Sequence, residues 1–221
     1  MKLLIKGVSA HTRDKILPAL DDGPFELVGF VSRGQGSVEL AKEHHVICVP
    51  DLASTDELNW DILYVASPIG AHFEDVKTAL SSGKHVICEK ILCRTSEEAN
   101  YLFDLAESLN LFLFEVRMYQ YHPQYIALKS WLETTEVCAG NAKAELSFTI
   151  PHLEADNFRY DARRGGGAIY DIGYYPLSAT LDLFGAVDLK KAKIVRSRDD
   201  SVDLAGQCTL FASRFGEVSC T

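Results

Sequence analysis

The stretch His85-Val86-Ile87-Cys88-Glu89-Lys90 decides the reading of this chain. Its first four residues form a short apolar strand, and the strand ends in an adjacent acid and base. In a parallel α/β sheet, ligands bind beyond the carboxyl ends of the strands. A Glu-Lys pair in that position stands where chemistry takes place. Taken alone, such a pair is more commonly a solvated ion pair at a strand tip, so its surroundings have to carry the functional reading.

Working outward, apolar runs alternate with helical patterns. Lys2 to Val8 is a strand, followed by Ser9-Ala10-His11-Thr12 and a helix through Ile16, Leu17 and Leu20. That helix is stopped by Asp21-Asp22-Gly23-Pro24. Glu26 to Val31 is a second strand, then Ser32-Arg33-Gly34 and a helix through Val38, Leu40 and Ala41. Val46 to Val49 is a third strand, and Ser54 with Glu57 reads as a capping box for one helical turn. Asp61 to Ala66 is a fourth, ending in Ser67-Pro68, with a helix over Ala71 to Ser82 closed by Gly83. After the HVIC strand, Thr95 and Glu98 cap another helix, and Leu111 to Phe114 is a further strand. This spacing predicts a doubly wound parallel sheet. The unbroken apolar character of the strands agrees, because both faces of such a sheet are covered.

From Tyr121 the rhythm changes. His122-Pro123 opens a helix through Leu128, Trp131 and Leu132, and Ala142 to Ile150 alternates like a half-buried strand. Polar, irregular sequence from Pro151 to Arg164 leads into Gly165-Gly166-Gly167-Ala168-Ile169-Tyr170-Asp171-Ile172-Gly173-Tyr174-Tyr175-Pro176 and a helix stopped by Gly185. Strands are expected over Leu189–Val195, Val202–Phe211 and Phe215–Thr221. The fold class is therefore α/β. An N-terminal Rossmann-type doubly wound sheet over residues 1–117 precedes a C-terminal α+β domain over 118–221, with an open, mostly antiparallel sheet. The last residues read as mid-strand, so the second domain is expected to be incomplete. Three successive glycines are costly in backbone entropy and suggest close approach to the other domain or to a ligand.

Bulk properties remove several function classes. With 221 residues, a formal net charge of −9 and a pI of about 5.2, the chain lacks the basic footprint of a nucleic-acid binder. No apolar run is long enough to span a bilayer, and no secretory leader is recognisable. Six scattered cysteines (Cys48, Cys88, Cys93, Cys138, Cys208, Cys220) with no CxxC pair fit reduced cytoplasmic thiols, with no metal site.

Two turns bear on a cofactor. The first, Gly7-Val8-Ser9-Ala10-His11-Thr12, keeps only the first glycine of a GxGxxG fingerprint. Gly7 still allows a tight turn, and Ser9 is small enough for a pyrophosphate to approach the helix start. An ordinary strand–helix turn fits the same residues equally well. The second strand ends in Ser32-Arg33 with no acid. Arginine there suits the 2′-phosphate of NADP, whereas NAD sites place a carboxylate on the ribose. On an α-helix, Asp171 and Tyr175 lie four apart and share a face. That is the spacing wanted if both point into one cleft, and it also describes an exposed helix side.

Together the two halves resemble the Gfo/Idh/MocA oxidoreductase family, named from glucose-fructose oxidoreductase and inositol dehydrogenase. The residues that carry the resemblance are Ser67-Pro68 with His72, Ala79-Leu80, Gly83 to Lys90, Tyr121-His122-Pro123-Gln124, Asn157 to Asp161, and Gly165 to Leu177. Tyr175 is similar to the subgroup of glucose-fructose oxidoreductase, NADP-dependent xylose dehydrogenases and dihydrodiol dehydrogenases. The resemblance implies hydride transfer between NADP (NAD as the alternative) and a sugar, nucleotide sugar or polyol. It implies Lys90, Tyr175 and Asp171 as catalytic residues. Gly7, Ser9, Ala10, His11, Ser32, Arg33, Ser67, Pro68, His72, Glu89 and Lys90 become cofactor candidates. Tyr119, Arg159, Tyr160 and Tyr174 (with Tyr121 and Arg163) are expected to line the substrate pocket. A homo-oligomer formed through the C-terminal sheet is implied as well.

Three departures stand against this. The family motif is Glu-Lys-Pro, and Ile91 replaces the proline. A non-proline residue is not expected to take a cis bond, which costs about 3 kcal/mol, so the aim of Lys90 is expected to change. The glycine turn is depleted, and the C-terminal sheet is short of strands. A non-catalytic, dinucleotide- or sugar-binding regulatory member of the same fold is the alternative function.

Overall fold

The computed structural model describes all residues except 22, 56 and 135–141. The chain divides into two compact units, Met1–Val116 and Arg117–Thr221. Asp22 of the first helix stop and Cys138 fall outside the described residues.

The first unit is built on a six-stranded parallel sheet in the order β3-β2-β1-β4-β5-β6. Its strands are β1 (Lys2–Lys6), β2 (Glu26–Val31), β3 (Ile47–Val49), β4 (Ile62–Val65), β5 (His85–Cys88) and β6 (Leu113–Glu115). The order reverses between β1 and β4, so the carboxyl ends of β1, β2, β4 and β5 lie on the edge where such sheets bind ligands. Leu4, Leu63, Val65, Val86 and Cys88 pack one face, with Val76 and Leu80 of α3 (Ile69–Ser81) and Leu102 of α4 (Ser96–Ser108). Leu3, Ile5, Phe30 and Ile62 pack the other, with Ile16, Leu17 of α1 (Leu17–Leu20) and Leu40 of α2 (Gln35–Glu43). Both faces are covered, as the continuous apolar runs require.

The Thr95 cap forms as expected. Its Oγ1 accepts from the Glu98 backbone N–H at 3.2 Å, and Glu98 Oε2 accepts from the Arg94 N–H at 3.0 Å. The expected Ser54–Glu57 box does not form. The turn there is a 3₁₀ turn over Leu52–Thr55, and Asp51 caps it by accepting from both the N–H and the hydroxyl of Ser54. The aspartate three residues earlier is the better acceptor and shifts the turn toward the N-terminus.

The second unit carries a four-stranded sheet in the order β7-β10-β9-β8. β7 (Ala142–Leu146) runs parallel to β10 (Gly216–Cys220), while β9 (Asp203–Ala212) pairs antiparallel with both β10 and β8 (Val187–Arg196). Two helices belong to this unit, α5 (Pro123–Thr134) and α6 (Tyr174–Phe184). Leu177 and Phe184 of α6 pack against Leu210, Val218 and Cys220 of the sheet.

Two of the three glycines have close neighbours within this unit. A Cβ at Gly166 would lie 2.6 Å from the backbone oxygen of Arg159, and one at Gly167 (φ +123) 2.5 Å from the Asp203 carboxylate. The close neighbours belong to this unit itself. Asp203 also accepts from the Ile169 N–H at 2.6 Å, which holds the start of the following helix.

Candidate active site

At the end of β1, Gly7 takes φ +95, and a Cβ on it would lie 2.5 Å from the Ala66 oxygen beyond β4. The glycine lets two neighbouring strand ends close together at the switch point. Ser9, Ala10 and His11 are exposed after it, at the start of a helical segment that passes through a π turn (Thr12–Ile16) into α1. Thr12, which sequence reasoning passed over, closes the turn. Fully buried, it donates from Oγ1 to the Gly7 oxygen at 3.1 Å and accepts from the Ser9 N–H at 3.3 Å. Only the bond back to the Gly7 oxygen distinguishes it from any helix-start threonine.

At the end of β2, Ser32 Oγ and Ser37 Oγ lie 2.7 Å apart, and the Ser32 hydroxyl accepts weakly from the Gly34 N–H. Arg33 is exposed, its guanidinium 3.6 Å from Asp51 at the end of the neighbouring strand β3. A hydrogen bond from Ser54 holds the Asp51 carboxyl below its ordinary range, with Arg33 contributing. A second cation approaches this turn unforeseen: Arg13 donates to the Gly36 oxygen at 3.3 Å. Two arginines beside one exposed strand end are suited to a phosphate.

Lys90 is the second residue beyond β5, on a segment held on both sides. Glu89 N–H donates to Val65 oxygen, and the Glu89 carboxylate, 9% exposed, accepts from Tyr64 OH at 2.7 Å and lies 3.0 Å from His11 Nε2. Leu92 N–H donates to Glu115 Oε1 at 2.8 Å. The Lys90–Ile91 peptide is cis, which corrects the expectation that isoleucine would not hold that geometry; the bonds on either side fix the backbone there. Ser67 donates to Asp75 Oδ2 at 2.7 Å, and Asp75 also pairs with Lys6 at 3.1 Å. Pro68 is the residue before α3 and is exposed. His72 is 1% exposed, with Nδ1 2.7 Å from the Ile91 oxygen and Nε2 2.7 Å from the Ser67 oxygen. Both ring nitrogens face backbone oxygens, which only accept, so a neutral ring donates to one of the two and lies in close polar contact with the other.

In the second unit, Asp171 is buried and ion-paired with Arg159 Nε. Asn157 Oδ1 accepts from the Arg159 N–H at 3.1 Å, and the Gly167 N–H donates back to the Arg159 oxygen. The ring of Tyr175 stacks on Phe148 at 4.6 Å, edge-on to Tyr174 and Tyr119. The α-helical spacing expected for Asp171 and Tyr175 is corrected, because Ile169–Gly173 is a π turn, whose i→i+5 pattern widens the step between faces. Tyr119 OH lies 2.8 Å from Ser178 Oγ. A cavity of about 680 Å³ includes Arg159, Tyr160 and Asp171, with Ile169, Ile194 and Leu204 giving it a largely apolar wall. Tyr119, Tyr121, Arg163 and Tyr174 are not part of that lining; Tyr121 and Arg163 are exposed. Among the described residues no cluster of metal-ligating side chains occurs, and no helix is long and apolar enough to cross a membrane.

Residues 1–116 match the family model of the Gfo/Idh/MocA proteins, described as an oxidoreductase family with an NAD-binding Rossmann fold. The chain belongs to the Gfo/Idh/MocA oxidoreductase family. A dTDP-3,4-didehydro-2,6-dideoxy-alpha-D-glucose 3-reductase from Actinomadura kijaniata is 34% identical over 204 residues, covering 89% of this chain and 60% of that protein. An NADP-linked D-xylose 1-dehydrogenase from Haloferax volcanii is 28% identical, covering 90% of this chain and 62% of its own length. The crystal structure of the 3-ketoreductase KijD10 from Actinomadura kijaniata, in complex with NADP and TDP-benzene, superposes with a TM-score of 0.91 at 29% identity. It covers 100% of this chain and 69% of KijD10. This family member thus spans about 60% of the length of the two curated relatives.

Proposed function

We propose that the chain is an NADP-dependent oxidoreductase that moves hydride between a nicotinamide and a hydroxyl or carbonyl of a sugar, nucleotide sugar or related polyol. The observation that carries this is the carboxyl edge of the first sheet. There the Gly7 turn with its exposed helix start, the exposed Arg33 and the half-buried Lys90 occupy the ends of β1, β2 and β5. These residues fit a dinucleotide: Gly7 lets the backbone close tightly, the exposed helix start suits a pyrophosphate, and Arg33 suits a 2′-phosphate. The names of the relatives from Actinomadura and Haloferax support the substrate class and the choice of NADP.

When bound, the nicotinamide accepts or supplies the hydride. This chain supplies the proton chemistry. Tyr175 takes the hydroxyl proton in oxidation and returns it in reduction. A free tyrosine ionises near pH 10, so forming a phenolate at pH 7 costs roughly 4 kcal/mol, a cost that a cation in the reacting complex reduces. Lys90 is assigned the orienting of the reacting oxygen, and the Arg159–Asp171 pair fixes the turn that leads into Tyr175. In the same reading the protein is cytoplasmic and pairs with a second copy through the C-terminal sheet. The five described cysteines, all free, and the exposed Leu189, Ile194 and Leu204 support those two points.

Fluorescence titration with NADPH and NADH, followed by nicotinamide absorbance over a panel of aldoses and keto-sugar nucleotides, tests the proposal. Tight NADPH binding with turnover on at least one sugar is expected. Binding without turnover on any of them favours the regulatory alternative.

A further inference from the structure

We propose that His72 is a positioning residue for Lys90, a staple that ties the carboxyl end of β4 to the segment after β5. This rests on the oxidoreductase reading for its catalytic consequence but not for its structural one. The side chain lies on α3 and is buried to 1% exposure. Its Nδ1 faces the oxygen of Ile91, the residue immediately after Lys90, and its Nε2 faces the oxygen of Ser67; both distances are 2.7 Å. One rigid ring thus spans two loops that leave adjacent parallel strands.

The remaining anchors lie on either side of Lys90. Glu89 is held by Tyr64 and His11, and the Leu92 N–H by Glu115. The Ile91 carbonyl is the peptide oxygen next to the lysine, and the imidazole donates to it in the form that carries a proton on Nδ1. The contact is part-buried, and a carbonyl there that loses its partner is unfavourable by up to the penalty of a buried one, which corresponds to at most roughly a hundredfold shift in a local opening equilibrium. Removing the ring therefore frees the backbone that aims Lys90, while Arg33, on another strand, keeps its own contact with Asp51. A misplacement of about 1 Å at a reacting group lowers a rate by orders of magnitude.

Hydrogen exchange read by mass spectrometry on wild type, His72→Phe and His72→Gln, combined with steady-state kinetics, tests the proposal. In His72→Phe, peptides covering 66–71 and 90–93 are expected to exchange at least about tenfold faster, with β4 and β5 unchanged. The same variant is expected to lose at least about tenfold in kcat, with a smaller loss of NADPH affinity. His72→Gln retains a side-chain donor and is expected to recover part of both losses. Should His72→Phe not fold, His72→Gln is read alone, with a smaller change in the same two segments. Unchanged exchange at 90–93, or acceleration spread over β4 and β5, overturns the staple whatever the activity. Faster exchange there with unchanged kcat overturns the positioning role and leaves the oxidoreductase reading standing. A wild type that never turns over contradicts the proposed function instead, and exchange alone then decides the staple.

Discussion

Tyr64, on β4, donates a 2.7 Å hydrogen bond to the carboxylate of Glu89, the first residue beyond β5. Burial pushes the Tyr64 phenol well above its ordinary value, and the Glu89 charge adds to this. The phenol therefore stays protonated and remains a donor. Tyr64→Phe leaves the buried Glu89 carboxylate with one fewer donor. It is expected to lower stability by about 1.5–3 kcal/mol, read as a shift of the urea midpoint at constant m-value. An unchanged midpoint shows that the pair contributes nothing net.

Gly7→Ala combines a positive φ with a Cβ placed 2.5 Å from the Ala66 oxygen. Neither problem is relieved by a side-chain movement, since the neighbour is backbone. A loss of about 2–4 kcal/mol is expected, with weaker NADPH binding, measured by thermal melting with and without NADPH. Wild-type melting in Gly7→Ala would contradict the close approach of these strand ends.

Arg33 is exposed and held loosely at 3.6 Å from Asp51, so it is free to exchange that partner for a phosphate. Arg33→Ala is expected to weaken NADPH binding by about 10- to 100-fold, the range of a charge-assisted hydrogen bond, and to leave NADH binding nearly unchanged. Equal losses for both dinucleotides would remove Arg33 from the discrimination.

Asp182 on α6 accepts from Lys129 and from Tyr125, each at 2.8 Å. Burial raises its carboxyl, but these two hydrogen bonds and the nearby cations outweigh burial and hold it below the usual range. A carboxyl lowered on folding contributes stability that is complete above the unfolded value, near pH 4, and is lost as pH falls through the lower folded value. Unfolding curves between pH 6 and pH 3 should therefore show a steeper acid limb in wild type than in Asp182→Asn. Parallel limbs would contradict the assignment.

What the sequence made legible is what has a local pattern. The parallel strands show as unbroken apolar runs, the Thr95 cap as a residue pair three apart, and the Gly7 turn as a glycine between a strand and a helix. The rest depends on contacts distant in sequence. Glu89 meets His11 from 78 residues away and Tyr64 from 25. Nothing near Thr12 announces that its hydroxyl folds back onto Gly7. The π turn under Asp171 follows a stretch where Gly167 packs closely on Asp203 and Gly166 on Arg159, contacts that spacing rules for an α-helix do not capture. That His72 faces two backbone oxygens could not be read from the sequence, because such partners carry no sequence mark.

The central claim is that Lys90 participates in hydride transfer. The most direct measurement compares single-turnover oxidation of saturating NADPH by wild type and Lys90→Ala with a sugar substrate established for the wild type. The expected result is equal NADPH affinity with a turnover rate reduced by at least about 100-fold. A Lys90→Ala protein that turns over at the wild-type rate would contradict the account.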